Sequence, residues 1–268
     1  MMKSYRFFIL LLIMSLATAC AEEKHKYVIG VSQCSDDEWR HQLNAELMRE
    51  MAFHPEVKME IVTAYGSNEK QISDIEEFIR RQVDVIIVAP NEADPITPVV
   101  EKAYDSGIPV ILVDRKIKSD KYTAYIGADN YDIGLRAGEY VKSRIDGHRP
   151  VRIAEVSGMR ASTPAEDRHN GFSDALGDME GVQVRSIEAD WTYDTAFMKF
   201  SQMLAADKWL PDIIFAHNDM MAKAAYAAAL NAGCEQDMIL VGVDALGGKG
   251  LGVDLVSNGV LDASLVYP

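Results

Sequence analysis

The run Val110-Ile-Leu-Val113, which ends abruptly in Asp114 and Arg115, constrains this chain more than any other segment. A strand buried on both faces reads as a continuous apolar run, and an open parallel sheet holds its ligands off the carboxyl ends of such strands. Charges placed there face a crevice. The pattern recurs: Tyr27-Val-Ile-Gly-Val31 runs into Ser32 and Asp36, Ile213-Ile-Phe-Ala216 into His217, Asn218 and Asp219, and Ile239-Leu-Val-Gly-Val243 into Asp244. Four strand ends carrying Asp, Asn or Arg outline one polar site.

Between these runs lie helical patterns. Trp39, Leu43, Leu47 and Met51 recur every fourth residue, and Ile72, Ile75, Phe78 and Ile79 mark a second stripe, as helices packed on a sheet require. Pro95 and Pro98 suit the first turn of the next helix, and Gly107 its C-terminal cap. The alternation restarts after Gly127–Tyr131, so the chain reads as α/β: two similar parallel-sheet lobes, residues 27–128 and 129–265, joined by hinge crossings. Residues 266–268 then start a return crossing to the first lobe. No Pro-, Gly- or Ser-rich tether separates the lobes.

A chain of 268 residues, 48% apolar and 25% charged, can bury two such cores. Its net charge of −14, without a basic stripe, excludes a nucleic-acid partner. Lys3 and Arg6 before the apolar run Phe7–Ala17 mark residues 1–20 as an export signal, too short for a comfortable membrane span of ~20 residues. The mature part is therefore expected outside the cytoplasm. Leu16-Ala-Thr-Ala-Cys20 loosely matches a lipoprotein box, leaving lipidation of Cys20, simple cleavage after Ala19, or a retained signal as alternatives. Cys34 and Cys234 lack the spacing of a redox or zinc pair and read as two small thiols rather than a disulfide.

From Tyr27 onward the chain resembles the type I periplasmic sugar-binding proteins, above all the ribose-binding group. The resemblance is carried by Val113-Asp-Arg115, Gly127-Ala-Asp-Asn130, Arg168 before Gly171-Phe172, Asn218-Asp219 and Gly242-Val-Asp244, all in order. It implies a monosaccharide held between two lobes that close on it. It also implies ligand contacts from Asp36, Trp39, Asp114, Arg115, Arg168, Trp191, Asn218, Asp244 and Tyr267. The chemistry suits a sugar: carboxylates accept and guanidinium forks donate to vicinal hydroxyls, while indoles cover the ring's C–H face. Similar domains occur as transport receptors that serve a membrane permease and as sensors of hybrid two-component receptor kinases. The expected partners are thus a sugar and either a permease or the chain's own transmembrane and kinase segments.

Ala89 replaces the Asn that the ribose-binding group has before Pro90, and the aromatic pair of the first helix is reduced to Glu38-Trp39. Ribose itself is therefore in doubt, and a ketohexose such as fructose, another pentose or a hexose stay open. Relatives continue past the strand near Tyr267, whereas this sequence stops at Pro268, so a fragment or a truncated reading frame is expected. Individual residues have plainer readings: Asp36 and Asp37 as helix N-terminal charges, Asp219 as an N-cap, Trp39 as core, Asp114–Arg115 as a structural ion pair. Gly247-Gly-Lys-Gly-Leu-Gly252 fits neither a dinucleotide nor a P-loop spacing, and no HExxH or GxSxG occurs. No cofactor or metal is called for and no enzyme is expected; an α/β hydrolase is the alternative class.

Overall fold

The computed structural model describes residues 25–147, 149–207 and 209–268. The export signal, with Cys20, lies outside them. Ten strands and eight helices follow in order among the described residues: β1 (Tyr27–Gln33), α1 (Glu38–Met51), β2 (Val57–Thr63), α2 (Asn68–Arg81), β3 (Val85–Val88), α3 (Ala93–Asp105), β4 (Val110–Val113), β5 (Ala124–Ile126), α4 (Asn130–Ser143), β6 (Val151–Ser157), α5 (Thr163–Leu176), β7 (Val182–Glu188), α6 (Tyr193–Asp207), β8 (Ile213–Ala216), α7 (Asp219–Ala232), β9 (Ile239–Asp244), α8 (Gly252–Ser257) and β10 (Ala263–Val266).

The strands form two parallel sheets, ordered β2-β1-β3-β4-β5 and β10-β9-β8-β6-β7. Read from the other edge, the second order repeats the first. In each sheet the chain runs outward, then reverses across the starting strand, which opens a crevice at the carboxyl ends between β1 and β3 and between β6 and β8. This is the pair of parallel α/β lobes expected from the alternation, and the type I periplasmic binding protein fold that the resemblance implies.

The cores follow from the apolar strand runs. Ile86, Val88, Val110 and Leu112 are buried against Ile75 and Phe78 of α2 and Ile96 and Val100 of α3. In the second sheet, Ile153, Phe172, Phe215 and Val241 pack on one face and Val156, Phe200, Ile214 and Met221 on the other. Gly107, at φ +83°, turns the chain out of α3 where a side chain would be strained.

Three local expectations are corrected. Trp39, Leu43, Leu47 and Met51 are only half-buried, and Arg40 is the buried residue of α1; strict four-residue spacing drifts about 40° per step around a helix of 3.6 residues per turn, so it cannot follow one face. Pro98 falls inside α3 rather than in its first turn, because the helix starts at Ala93. The N-cap of α7 is Asn218, whose side chain accepts from Met221 N at 2.8 Å, and Asp219 is turned inward instead. Cys34 is buried and Cys234 half-buried, and both are free.

Candidate functional site

The two crevices face each other across a cavity of about 260 Å³, smaller than the ~300–1,000 Å³ typical of drug-sized ligands and suited to a single small ring. All nine residues singled out from the sequence line it: Asp36, Trp39, Asp114 and Arg115 from the first lobe, Arg168, Trp191, Asn218, Asp244 and Tyr267 from the second. Arg40 lines it as well.

The first lobe's wall is built where β1 passes into α1. Asp37 caps the helix by accepting from Arg40 N at 2.9 Å, and Ser35 Oγ steadies the cap by donating to Asp37 Oδ2 at 2.6 Å. Asp36 points to the exposed rim, where it pairs with His41 at 2.8 Å and raises that imidazole's pKa. Trp39 turns inward and meets the Tyr267 ring edge-on, with centroids 5.3 Å apart.

At the end of β4 the chain takes φ +66° at Asp114, a left-handed turn that costs a non-glycine residue energy and marks a position held by its surroundings. The carboxylate Oδ2 accepts from Arg40 Nη2, and Oδ1 accepts from the Tyr267 hydroxyl at 2.7 Å. Burial raises the Asp114 pKa, but the Arg40 and Arg115 charges and the Tyr267 bond outweigh it and keep the group ionised. The Asp114–Arg115 ion pair, the plainer reading of these two residues, is the longer contact, 3.5 Å, because Arg115 Nη1 instead donates to Asn91 O at 2.8 Å.

The second lobe supplies the opposite wall. Arg168 is buried, donating from Nε to Asn130 Oδ1 at 2.9 Å and from Nη1 to the His217 carbonyl. The helices α4 and α5 approach closely enough to place it because residue 134 is glycine: a Cβ there would stand 2.1 Å from Arg168 O. Asp190 and Trp191 take φ of +50° and +68°, two consecutive left-handed residues that carry the indole into the cleft, beneath the guanidiniums of Arg115 and Arg168 at 5.4 and 5.5 Å. Asn218 is committed at both ends of its amide, to the α7 cap and, through Nδ2, to Trp191 O at 3.1 Å.

Asp244 ends β9 at φ +115°. Burial, followed by the neighbouring charges of Asp219, Asp37 and Asp114, raises its pKa well above the ordinary range against the opposing pull of Arg168. Asp219 beneath it accepts from Ser264 Oγ at 2.7 Å and Ala245 N at 2.8 Å, yet burial still lifts its pKa to about 6.

The lobes meet around this cavity. Besides the Tyr267–Asp114 bond, Lys116 N donates to Thr163 Oγ1 at 3.0 Å and Ala93 N to Ala161 O at 3.2 Å. The arrangement is closed. Chemically, the cleft presents carboxylate acceptors, guanidinium donors and indole faces, the set needed to replace the water around a polyhydroxylated ring.

Arg40 escaped the sequence reading because it sits one position off the apolar stripe. A signal was present: a cation in the first turn of a helix opposes the helix dipole, so a compensating anion is expected nearby. That anion is Asp114.

The profile of the periplasmic binding protein domain matches residues 29–267. Among solved structures, the chain is 48% identical to the fructose-binding periplasmic domain of a hybrid two-component system, with a TM-score of 0.86, over 90% of this chain and 80% of that one. It is 28% identical to the galactofuranose-binding protein of Escherichia coli over 87% of this chain and 74% of that protein. It is also 28% identical to the ribose import binding protein of Bacillus subtilis over 70% of this chain, and there spans 60% of the relative's length. The chain therefore belongs to the periplasmic binding protein domain family, and the relatives named above are binding proteins.

Proposed function

We propose that this protein binds one monosaccharide in the cleft between lobes 27–128 and 129–265, and that lobe closure is its output. The preferred ligand is a ketohexose such as fructose. The observation that carries this reading is the 48% identity, over nine-tenths of the chain, to a fructose-binding periplasmic domain of a hybrid two-component system. Asp114, Arg115, Arg168 and Asp244 serve as hydroxyl partners, Trp39 and Trp191 as ring faces, and Asp36, Asn218 and Tyr267 as rim and hinge-side contacts. Arg40 joins them.

The same identity favours a sensor of a membrane receptor kinase over a receptor that serves a permease. In either role the protein works outside the cytoplasm, where cleavage after Ala19 would release it and a lipidated Cys20 or further membrane-spanning chain would hold it at a membrane.

A ligand that binds only the folded state raises its stability by about 2.7 kcal/mol at a hundredfold excess over Kd. A thermal-shift panel of fructose, ribose, arabinose, galactose, glucose and myo-inositol should therefore single out fructose. A panel in which fructose leaves the melt unchanged and an aldose raises it overturns the ketose assignment; no shift from any sugar overturns sugar binding.

A further inference from the structure

Behind the cleft wall, Glu155 of β6 is wholly buried, as is His217 at the end of β8. The carboxylate accepts from Ser186 Oγ at 2.6 Å, from His169 at 2.8 Å and from His217 Nε2 at 3.1 Å. The other ring nitrogen of His217, Nδ1, accepts from Gly158 N–H at 3.4 Å. An imidazole that donates from one nitrogen and accepts at the other is neutral, with its proton on Nε2. A proton on Nδ1 would set two N–H groups against each other. Burial, the largest influence, holds the His217 pKa down despite the Glu155 contact.

Both ends of this chain of bonds hold cleft residues. A Cβ at position 158 would lie 2.1 Å from the Trp191 indole, so the indole rests on the bare Cα of Gly158. The backbone carbonyl of His217 accepts from Arg168 Nη1. The groups facing the Glu155–His217 pair are Arg168 and His169 from α5, Ser186 from β7, and the rings of Phe215 and Trp191, whose centroids lie 5.2 and 6.3 Å from His217.

We propose that Glu155 and His217 are positioning residues for the cleft: a neutral His217, oriented by Glu155, places Trp191 through Gly158 and Arg168 through its own carbonyl. The consequence for affinity rests on the cleft being the sugar site; the placement of Trp191 does not.

Two substitutions separate the ring nitrogens. In His217→Asn the side-chain oxygen reaches the place of Nδ1 and keeps an acceptor for Gly158, whereas in His217→Gln the amide nitrogen takes the place of Nε2 and that acceptor is lost. H217Q should weaken D-fructose binding about tenfold and shift the tryptophan emission, while H217N, which keeps the Gly158 acceptor and gives up the Glu155 bond, should weaken it only about threefold, the scale of one hydrogen bond lost or kept. Melting curves taken alongside separate affinity from stability. Equal losses in both variants, or wild-type affinity and emission in H217Q, overturn the proposal. Nitrogen-15 NMR of the histidines in the wild-type chain should find His217 neutral with its proton on Nε2 at pH 7; an imidazolium or the Nδ1–H form overturns it with no variant needed. Should wild type bind no D-fructose, the ligand assignment has failed, and the NMR and emission results still decide the positioning role.

Discussion

The Tyr267 hydroxyl donates to Asp114 Oδ1 at 2.7 Å, tying the residue after the second sheet's edge strand to the residue after β4 in the first sheet. Arg40 occupies the other oxygen of the same carboxylate. An ionised carboxylate accepts about four hydrogen bonds, so Asp114 has room for a ligand hydroxyl while serving as a tie between lobes.

Removing only the hydroxyl tests the tie. Tyr267→Phe keeps the ring against Trp39 and deletes a bond to a charged acceptor, worth about 1.5–3 kcal/mol. The empty protein should then populate a more open form, seen as a larger radius of gyration in solution scattering, and a saturating sugar should contract it again. Identical scattering of the empty variant and the empty wild type would mean that the closed arrangement does not depend on this bond.

Asp114 and Arg115 should separate on substitution, although they are adjacent. Asp114→Ala strands the buried Arg40 guanidinium, and breaking a buried ion pair costs about 3–5 kcal/mol, so the variant should lose both stability and sugar binding. Arg115→Ala leaves the Arg40–Asp114 pair intact and should lower affinity about ten- to a hundredfold with a smaller loss of melting temperature. A double-mutant cycle of R40A and D114A should show strong coupling in the melt. Additive effects would place the two side chains in independent roles.

The strand runs, their succession along the chain and the charges at their ends were legible in the sequence because a buried parallel strand can hardly be written any other way. What those charges bond to was not. Asp114 reads equally well as the partner of Arg115, its neighbour, or of Arg40, and only the tertiary approach of α1 to β4 decides for Arg40. Asn218 rather than Asp219 caps α7 for a similar reason: both can do so, and it is Ser264 and Ala245, far along the chain, that draw Asp219 inward. Glu155 interrupts the apolar run of β6 with no local sign of its partners, because they arrive from three separate elements.

Asp219 should make the empty protein's stability depend on pH in an uncommon direction. Its folded pKa, about 6, lies above the ordinary aspartate value of 3.8, so the folded state binds the proton more tightly. The stabilisation is fully present below pH ~4 and is lost as pH rises through ~6. Asp219→Asn removes the titration while keeping an acceptor for Ser264. Between pH 4.5 and 7 the melting temperature of D219N should fall less than that of wild type. Parallel curves for the two proteins would show that the group does not titrate in this window.

Asp244 combines three costs in one residue: a left-handed backbone at φ +115°, a carboxylate that makes no side-chain hydrogen bond among the described residues, and neighbouring aspartates that resist its ionisation. Residues kept in such a state are held for what they bind. Asp244→Asn is nearly isosteric and removes the like-charge crowding, so the empty protein should melt a few degrees higher at pH 7, the change that about 1 kcal/mol produces in a domain of this size. Sugar affinity should fall about tenfold or more, since an amide oxygen accepts from ring hydroxyls more weakly than a carboxylate. Calorimetric titration and melting curves on the same preparation read both quantities. A higher melt with unchanged affinity would remove Asp244 from the binding set, and a lower melt would make its carboxylate a structural group that the empty fold needs.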